Sequence, residues 1–176
     1  LNFEHYPQDI PKAARLYLRR FFPKFAKKAK RIVTVSEYSK ADIIKQYGIA
    51  PNKIHVGWNG VSEQFKRLDL AEKQIVQQKF SNGKDYFIFV GALHPRKNVG
   101  RLLMAFDAYA KQNGPNHLVI VGENLWKTNN NLSELISDES KAKVHFTGHL
   151  PMESLVTVMG AAQCLVYVPY FEGFGI

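Results

Sequence analysis

Two clusters of residues in this 176-residue sequence have the types and spacing to act on a phosphate-bearing ligand. The first is Gly91-Ala92-Leu93-His94-Pro95-Arg96-Lys97-Asn98. A glycine allows close backbone approach there, and two adjacent cations precede an expected helix start, which is a phosphate-binding arrangement in principle. The second is Glu172-Gly173-Phe174-Gly175, after Pro169-Tyr170-Phe171. A carboxylate followed by backbone amides with no side chains in the way can accept hydroxyl hydrogen bonds and meet an anion, a combination suited to a sugar phosphate. Taken singly, the Arg-Lys pair fits a solvated loop and the glutamate fits a helix cap. Gly122-Glu123 and Thr147-Gly148-His149-Leu150 add glycines at two further places that taken alone would be ordinary turns.

These segments gain meaning from the elements that must carry them. Tyr86 to Val90 is continuously apolar, as expected of a strand buried on both faces, and Val99, Leu102, Leu103, Phe106, Tyr109 and Ala110 follow at helical spacing. Strands are expected at Leu118 to Val121, Val144 to Phe146 and Leu165 to Val168, with helices near Leu132 to Ser137 and Met152 to Ala162. Alternation of this kind makes a parallel α/β sheet, and ligands of such sheets bind beyond the carboxyl ends of the strands. All four glycine-bearing segments fall there. Upstream, Arg31 to Ser36 reads as a strand ending on an N-cap serine, Glu37 to Tyr47 as a helix stopped by Gly48, and Lys53 to Val56 as a short strand before the Asn59-Gly60 turn. The spacing predicts an end of an N-terminal domain over 1–66, a linker over 67–84 that is helical in its middle, and a C-terminal domain over 85–176.

Composition excludes several classes. With 45% hydrophobic residues and no run of eighteen apolar ones, the chain is neither disordered nor built to span a membrane as a helix. Its single cysteine, Cys164, can form no internal disulfide and is expected to be a buried, inert thiol in an apolar run. No His-His-acid or Asp-x-Asp spacing offers a metal site. The net charge of +9 is local: nine basic residues and no acidic one lie between Ile10 and Ser36. On a helix, Ala14, Tyr17, Leu18, Phe21, Phe22 and Phe25 share one face and Lys12, Arg15 and Arg19 another, with a break expected at Pro23. Residues 12–31 thus suit an anionic membrane surface, an acidic substrate or a solvated face. The remaining charges balance, fifteen basic against fifteen acidic, so no nucleic-acid stripe is expected.

The order of four motifs resembles the retaining GT-B enzymes of glycosyltransferase family 4, over nearly the whole chain. They are Val35-Ser36-Glu37-Tyr38-Ser39-Lys40-Ala41-Asp42-Ile43, Asn59-Gly60-Val61, Val90-Gly91 with Arg96-Lys97-Asn98, and Glu172-Gly173-Phe174-Gly175. The resemblance implies an α/β fold of GT-B type, in which a Rossmann-like parallel sheet forms the donor domain behind the tail of an N-terminal acceptor domain. It implies transfer of a mannose- or glucose-type sugar, with retention and without a metal, from a UDP- or GDP-sugar to a glycan or lipid-linked acceptor in polysaccharide or glycolipid synthesis. By the same resemblance Arg96 and Lys97 hold the donor diphosphate and Glu172 contacts the transferred sugar. Gly91, Asn98, Gly173, Phe174 and Gly175 line the donor, and His149 and Leu150 lie by the base. The place of action implied is the cytoplasm, at the inner membrane surface if residues 12–31 dock there.

Two family features have no counterpart here: the second glutamate of the signature would fall beyond Ile176, and the His-Asp motif would precede Leu1. His5 is therefore expected to be a loop or helix-approach residue, and the chain to be a fragment without activity of its own. Two other classes remain open at the level of sequence. One is a GT-B sugar-nucleotide epimerase or phosphorylase; the other is a non-enzymatic module binding nucleotide or nucleic acid.

Overall fold

A computed structural model describes residues 1–123 and 132–174. The chain divides into two compact units, Leu1–Gly60 with Phe171–Ile176, and Val61–Tyr170.

In the first unit, α1 (Asn2–His5) and α2 (Lys12–Lys28) precede β1 (Ile32–Thr34), α3 (Glu37–Tyr47) and β2 (Ile54–Val56). The strands β1 and β2 pair in parallel with Ile32 opposite Ile54. Ser36 N-caps α3 by accepting from the Ser39 amide at 3.0 Å, and Gly48 ends it in the left-handed region at φ 62°. The core gathers Ala26, Ile43, Ile49 and Ile54, with Phe22, Ile32, Ile44 and Tyr47 packed against it.

Helix α2 departs from expectation twice. It continues through Pro23, giving up the one ladder bond that the missing proline N–H would have made. Its inward seam is Leu18, Phe22 and Ala26, spaced by four, whereas Tyr17 and Phe25 of the expected apolar face are 55% and 57% exposed. Periodicity admitted both rows, and the small Ala26 permits the closer approach to Ile43 and Ile54.

The second unit is a four-stranded parallel sheet in the order β5-β4-β3-β6. Its strands are β3 (Tyr86–Val90), β4 (His117–Val121), β5 (Val144–Gly148) and β6 (Cys164–Leu165). The helices are α4 (Leu70–Ser81), α5 (Val99–Lys111), α6 (Asp138–Lys141) and α7 (Met152–Ala161). Alternation along the strands feeds two cores. Phe89, Leu118 and Ile120 meet the Val99, Leu103, Phe106 and Ala110 face of α5. On the other side Tyr86, Ile88, Val119 and Val121 meet Val158 and Ala161 of α7, with Leu68, Val76 and Phe80 from the α4 region. The segment that the sequence places between domains therefore contains a helix seated on this sheet, begun by a full capping box between Asp69 and Glu72.

Further differences concern edges. Residues 132–137 form a single 3-10 turn, Leu132–Leu135, because the Asp107 carboxylate accepts from both the amide (2.9 Å) and hydroxyl (2.6 Å) of Ser137 and opens α6 there. The last strand is Cys164–Leu165 and not Leu165–Val168. Among the described residues it lies at the sheet edge, paired with β3 alone, and the Cys164 thiol is exposed and not buried as expected.

Candidate functional site

Three neighbouring strands of the second unit end on glycines with positive φ: Gly91 (150°), Gly122 (144°) and Gly148 (68°). The ladder runs on through them, the Gly91 amide donating to the Val121 carbonyl and the Gly122 amide to the Gly148 carbonyl, both at 2.9 Å. Of the three, Gly148 alone has open space where a Cβ would lie; the missing side chains of Gly91 and Gly122 let the ends of β3 and β4 pack closely together.

Above Gly91 the chain turns through Pro95–Lys97, a 3-10 turn that buried His94 caps by accepting from the Arg96 amide at 3.1 Å. Asn98, in the left-handed region at φ 61°, ends that turn and starts α5, so Arg96 and Lys97 lie at the helix N-terminus as the sequence predicts. Lys97 folds back across the strand end: a Cβ on Gly91 would lie 3.9 Å from Lys97 Cε. Its ammonium donates to the Tyr167 hydroxyl and lies 4.7 Å from that ring's centre. Two more bonds tie the same loops, Asn98 Nδ2 to the Val168 carbonyl (3.0 Å) and the Tyr170 amide to the Arg96 carbonyl (3.2 Å). Gly91, Arg96, Lys97 and Asn98 are thus assembled at one sheet end, and Tyr167 joins them. Sequence reasoning missed Tyr167; its place just after β6, at the mouth where ligands of such sheets bind, was the available signal.

The other candidates lie elsewhere. His149 follows Gly148 at the same end of the sheet and is exposed, whereas Leu150 packs into the core under α7. Glu172, Gly173 and Phe174 belong to the first unit, where Phe171 packs against His5, Tyr6 and Tyr38 at ring separations of 5.3, 5.2 and 6.2 Å. The Gly173 carbonyl accepts from the hydroxyls of Ser36 and, at 3.4 Å, Ser39. Gly175 lies outside the described residues. His5 ends α1 and bonds through Nε2 to the Asp42 carboxylate at 2.8 Å. Asp42 is buried, which raises its pKa, while its hydrogen bond to His5 acts in the opposite direction. Among the described residues no group of three or more His, Cys, Asp or Glu could hold a metal ion.

Comparison with known proteins bears on this arrangement. The chain is 27% identical over 173 residues to the O-antigen chain mannosyltransferase B of Escherichia coli, covering 97% of this chain and 45% of that protein. It is likewise 27% identical to the O-antigen chain mannosyltransferase RfbU of Salmonella typhimurium, covering 98% of this chain and 44% of that protein. The chain therefore spans about half the length of these relatives. Among solved structures it resembles WaaG, a glycosyltransferase involved in lipopolysaccharide biosynthesis, with a TM-score of 0.69, 22% identity, and 97% of this chain and 48% of that one covered. It also resembles Anabaena HepE crystallised with UDP and glucose, with a TM-score of 0.71, 17% identity, and 95% of this chain and 44% of that one covered. The fold is therefore α/β of the GT-B type. The Glycosyltransferase Family 4 profile matches residues 2–65. With the Glycosyl transferases group 1 profile matching residues 71–176, more than half its length, the chain belongs to the glycosyl transferases group 1 family.

Proposed function

We propose that the whole protein transfers a mannose- or glucose-type sugar, with retention, from a UDP- or GDP-sugar to a glycan or lipid-linked acceptor in the synthesis of a polysaccharide or glycolipid. The observation that carries this is Lys97 laid across the Gly91 strand end at the N-terminus of α5. In the reaction the bond between the anomeric carbon and the diphosphate oxygen breaks, and an acceptor hydroxyl oxygen takes its place on that carbon. Negative charge grows on the departing diphosphate, and fixed cations with helix N-terminal amides stabilise it without a metal. Arg96 and Lys97 are the cations in this scheme, Gly91 and Asn98 shape the phosphate site, and His149 borders the nucleotide base with Leu150 beneath it. Glu172 accepts from the sugar hydroxyls beside the backbone of Gly173, Phe174 and Gly175. Relatives support the sugar class: two are O-antigen chain mannosyltransferases, and HepE was crystallised with UDP and glucose.

The proposed setting is the cytoplasmic side of the membrane. Its support is α2, where exposed Leu16, Tyr17 and Phe25 lie among Arg20, Lys24, Lys27 and Lys28, a mixture that favours an anionic lipid surface. Among the described residues no helix is long and apolar enough to cross a membrane.

Calorimetric titration of UDP, GDP and ADP tests the donor site. One nucleotide is expected to bind selectively, and Lys97→Ala to weaken it about tenfold or more, the worth of one charge-assisted contact. Equal binding by the variant would overturn the phosphate assignment. Sedimentation with phosphatidylglycerol vesicles but not phosphatidylcholine vesicles is the outcome expected of α2, and no preference between them would refute the membrane setting.

A further inference from the structure

The glutamate assigned to the donor sugar is flanked by two fixed points, both within the first unit. On its N-terminal side the Phe171 ring is enclosed by His5, Tyr6 and Tyr38. On its C-terminal side the Gly173 carbonyl accepts from two hydroxyls at the start of α3, those of Ser36 and Ser39. Ser36 has two tasks with one oxygen. It accepts from the Ser39 amide at 3.0 Å, which caps the helix, and it donates its proton to Gly173, 137 residues away. The fit is close, since a Cβ on Gly173 would lie 3.2 Å from Ser39 Oγ.

We propose that Ser36 and Ser39 are positioning residues for Glu172: they fix the backbone on one side of it while the ring cage of Phe171 fixes the other, so that the carboxylate meets the donor sugar in one orientation. An N-cap needs only an acceptor, so aspartate or asparagine would serve α3 as well as serine does. The donated proton is what the Gly173 carbonyl requires. A carboxyl group fixed by its backbone loses less conformational freedom on binding and holds its geometry for the reacting sugar. The catalytic part of this inference rests on the donor-sugar role of Glu172; the clamp itself does not.

Ser36→Asp separates the two tasks, because it keeps the cap and turns a donor toward Gly173 into an acceptor that repels it. Ser36→Thr keeps both. Chymotrypsin cleavage after Phe171, followed by mass spectrometry on the full chain, reads the clamp directly. Ser36→Asp is expected to speed it about tenfold while cleavage after Tyr47, at the end of α3, is unchanged, and Ser36→Thr is expected to restore the original rate. Unchanged cleavage after Phe171 in Ser36→Asp overturns the proposal. The second readout is how much more tightly UDP-glucose binds than UDP, or GDP-mannose than GDP. That advantage should vanish in Ser36→Asp while binding of the bare nucleotide stays the same. An undiminished sugar advantage defeats the positioning role even if cleavage has changed. Failure of the unmodified chain to bind any nucleotide would instead tell against the donor reading, leaving cleavage to decide the clamp.

Discussion

A Cβ placed on Gly122 would lie 1.9 Å from the carbonyl oxygen of Gly91, so the ends of β4 and β3 approach each other as only a glycine allows. The obstacle is backbone, which cannot swing aside as a side chain would. Gly122 also has a φ of 144°, a region that L-residues rarely enter. Gly122→Ala is therefore expected to destabilise the second unit by at least about 2 kcal/mol. Gly148→Ala, with open space around its Cβ, should cost less, being limited to the strain of its φ of 68°. Denaturant midpoints of the two variants check this ordering, and equal loss in both would contradict it.

Asn98 has a conformational role and a bonding role that can be separated. Glycine keeps its left-handed φ of 61° but loses the 3.0 Å bond to the Val168 carbonyl. Alanine loses both. Asn98→Gly should fall short of the unmodified protein in stability by about 1 kcal/mol, and Asn98→Ala by about 1 kcal/mol more. Thermal unfolding of both variants measures the difference; the reverse order would show that φ is not what the position demands.

Tyr167 offers Lys97 a hydroxyl and a ring face. Tyr167→Phe keeps the face, so nucleotide binding is expected to fall only about threefold, while Tyr167→Ala should approach the tenfold loss of Lys97→Ala. Parallel titrations with the nucleotide that binds best decide the matter. Tyr167→Ala binding as well as the unmodified chain would mean that Lys97 needs no support from across the sheet end.

At the opposite ends of the strands, His117 Nδ1 and His145 Nε2 lie 2.8 Å apart with their rings stacked. One ring nitrogen must donate and the other accept, so the contact suits neutral rings. Burial, then the neighbouring His145, Lys143 and Lys84, lowers the pKa of His117 below its ordinary 6.5. Burial does the same for His145. Because the unfolded chain takes up these protons first, the stabilisation is complete above about pH 6.5 and is lost as pH falls below it. The lowered carboxylates Asp85 and Asp107 add acid sensitivity only below their ordinary 3.8. The denaturant midpoint should therefore drop between pH 7.5 and pH 5, and drop less in His145→Gln. A flat midpoint across that interval would exclude coupling of the pair to folding.

Much of this protein was legible in its residues. Apolar runs of four and five followed by glycine, and a helical period, place β3, β4, α5 and α7 within a residue or two, because strand and helix periods are local properties of the chain. The charge map locates the basic segment, and the order of the motifs points to a GT-B fold. What the residues left undecided were choices between locally equivalent partners. Helix α2 carries two apolar rows, and only packing on Ile43 and Ile54 selects Phe22 and Ala26. Cys164 lies in a buried-looking run, yet the sheet order puts its strand at the edge. Tyr167 meets Lys97 across 70 residues and Ser36 meets Gly173 across 137, distances at which neither periodicity nor capping rules reach. Sequence by itself determined most of the central strands and helices and the sign of charge each carries. Register, strand order and the close approach of Gly91 to Gly122 belong to the tertiary structure, since a side chain's neighbours far along the chain are set by which strands pair and not by its own propensity.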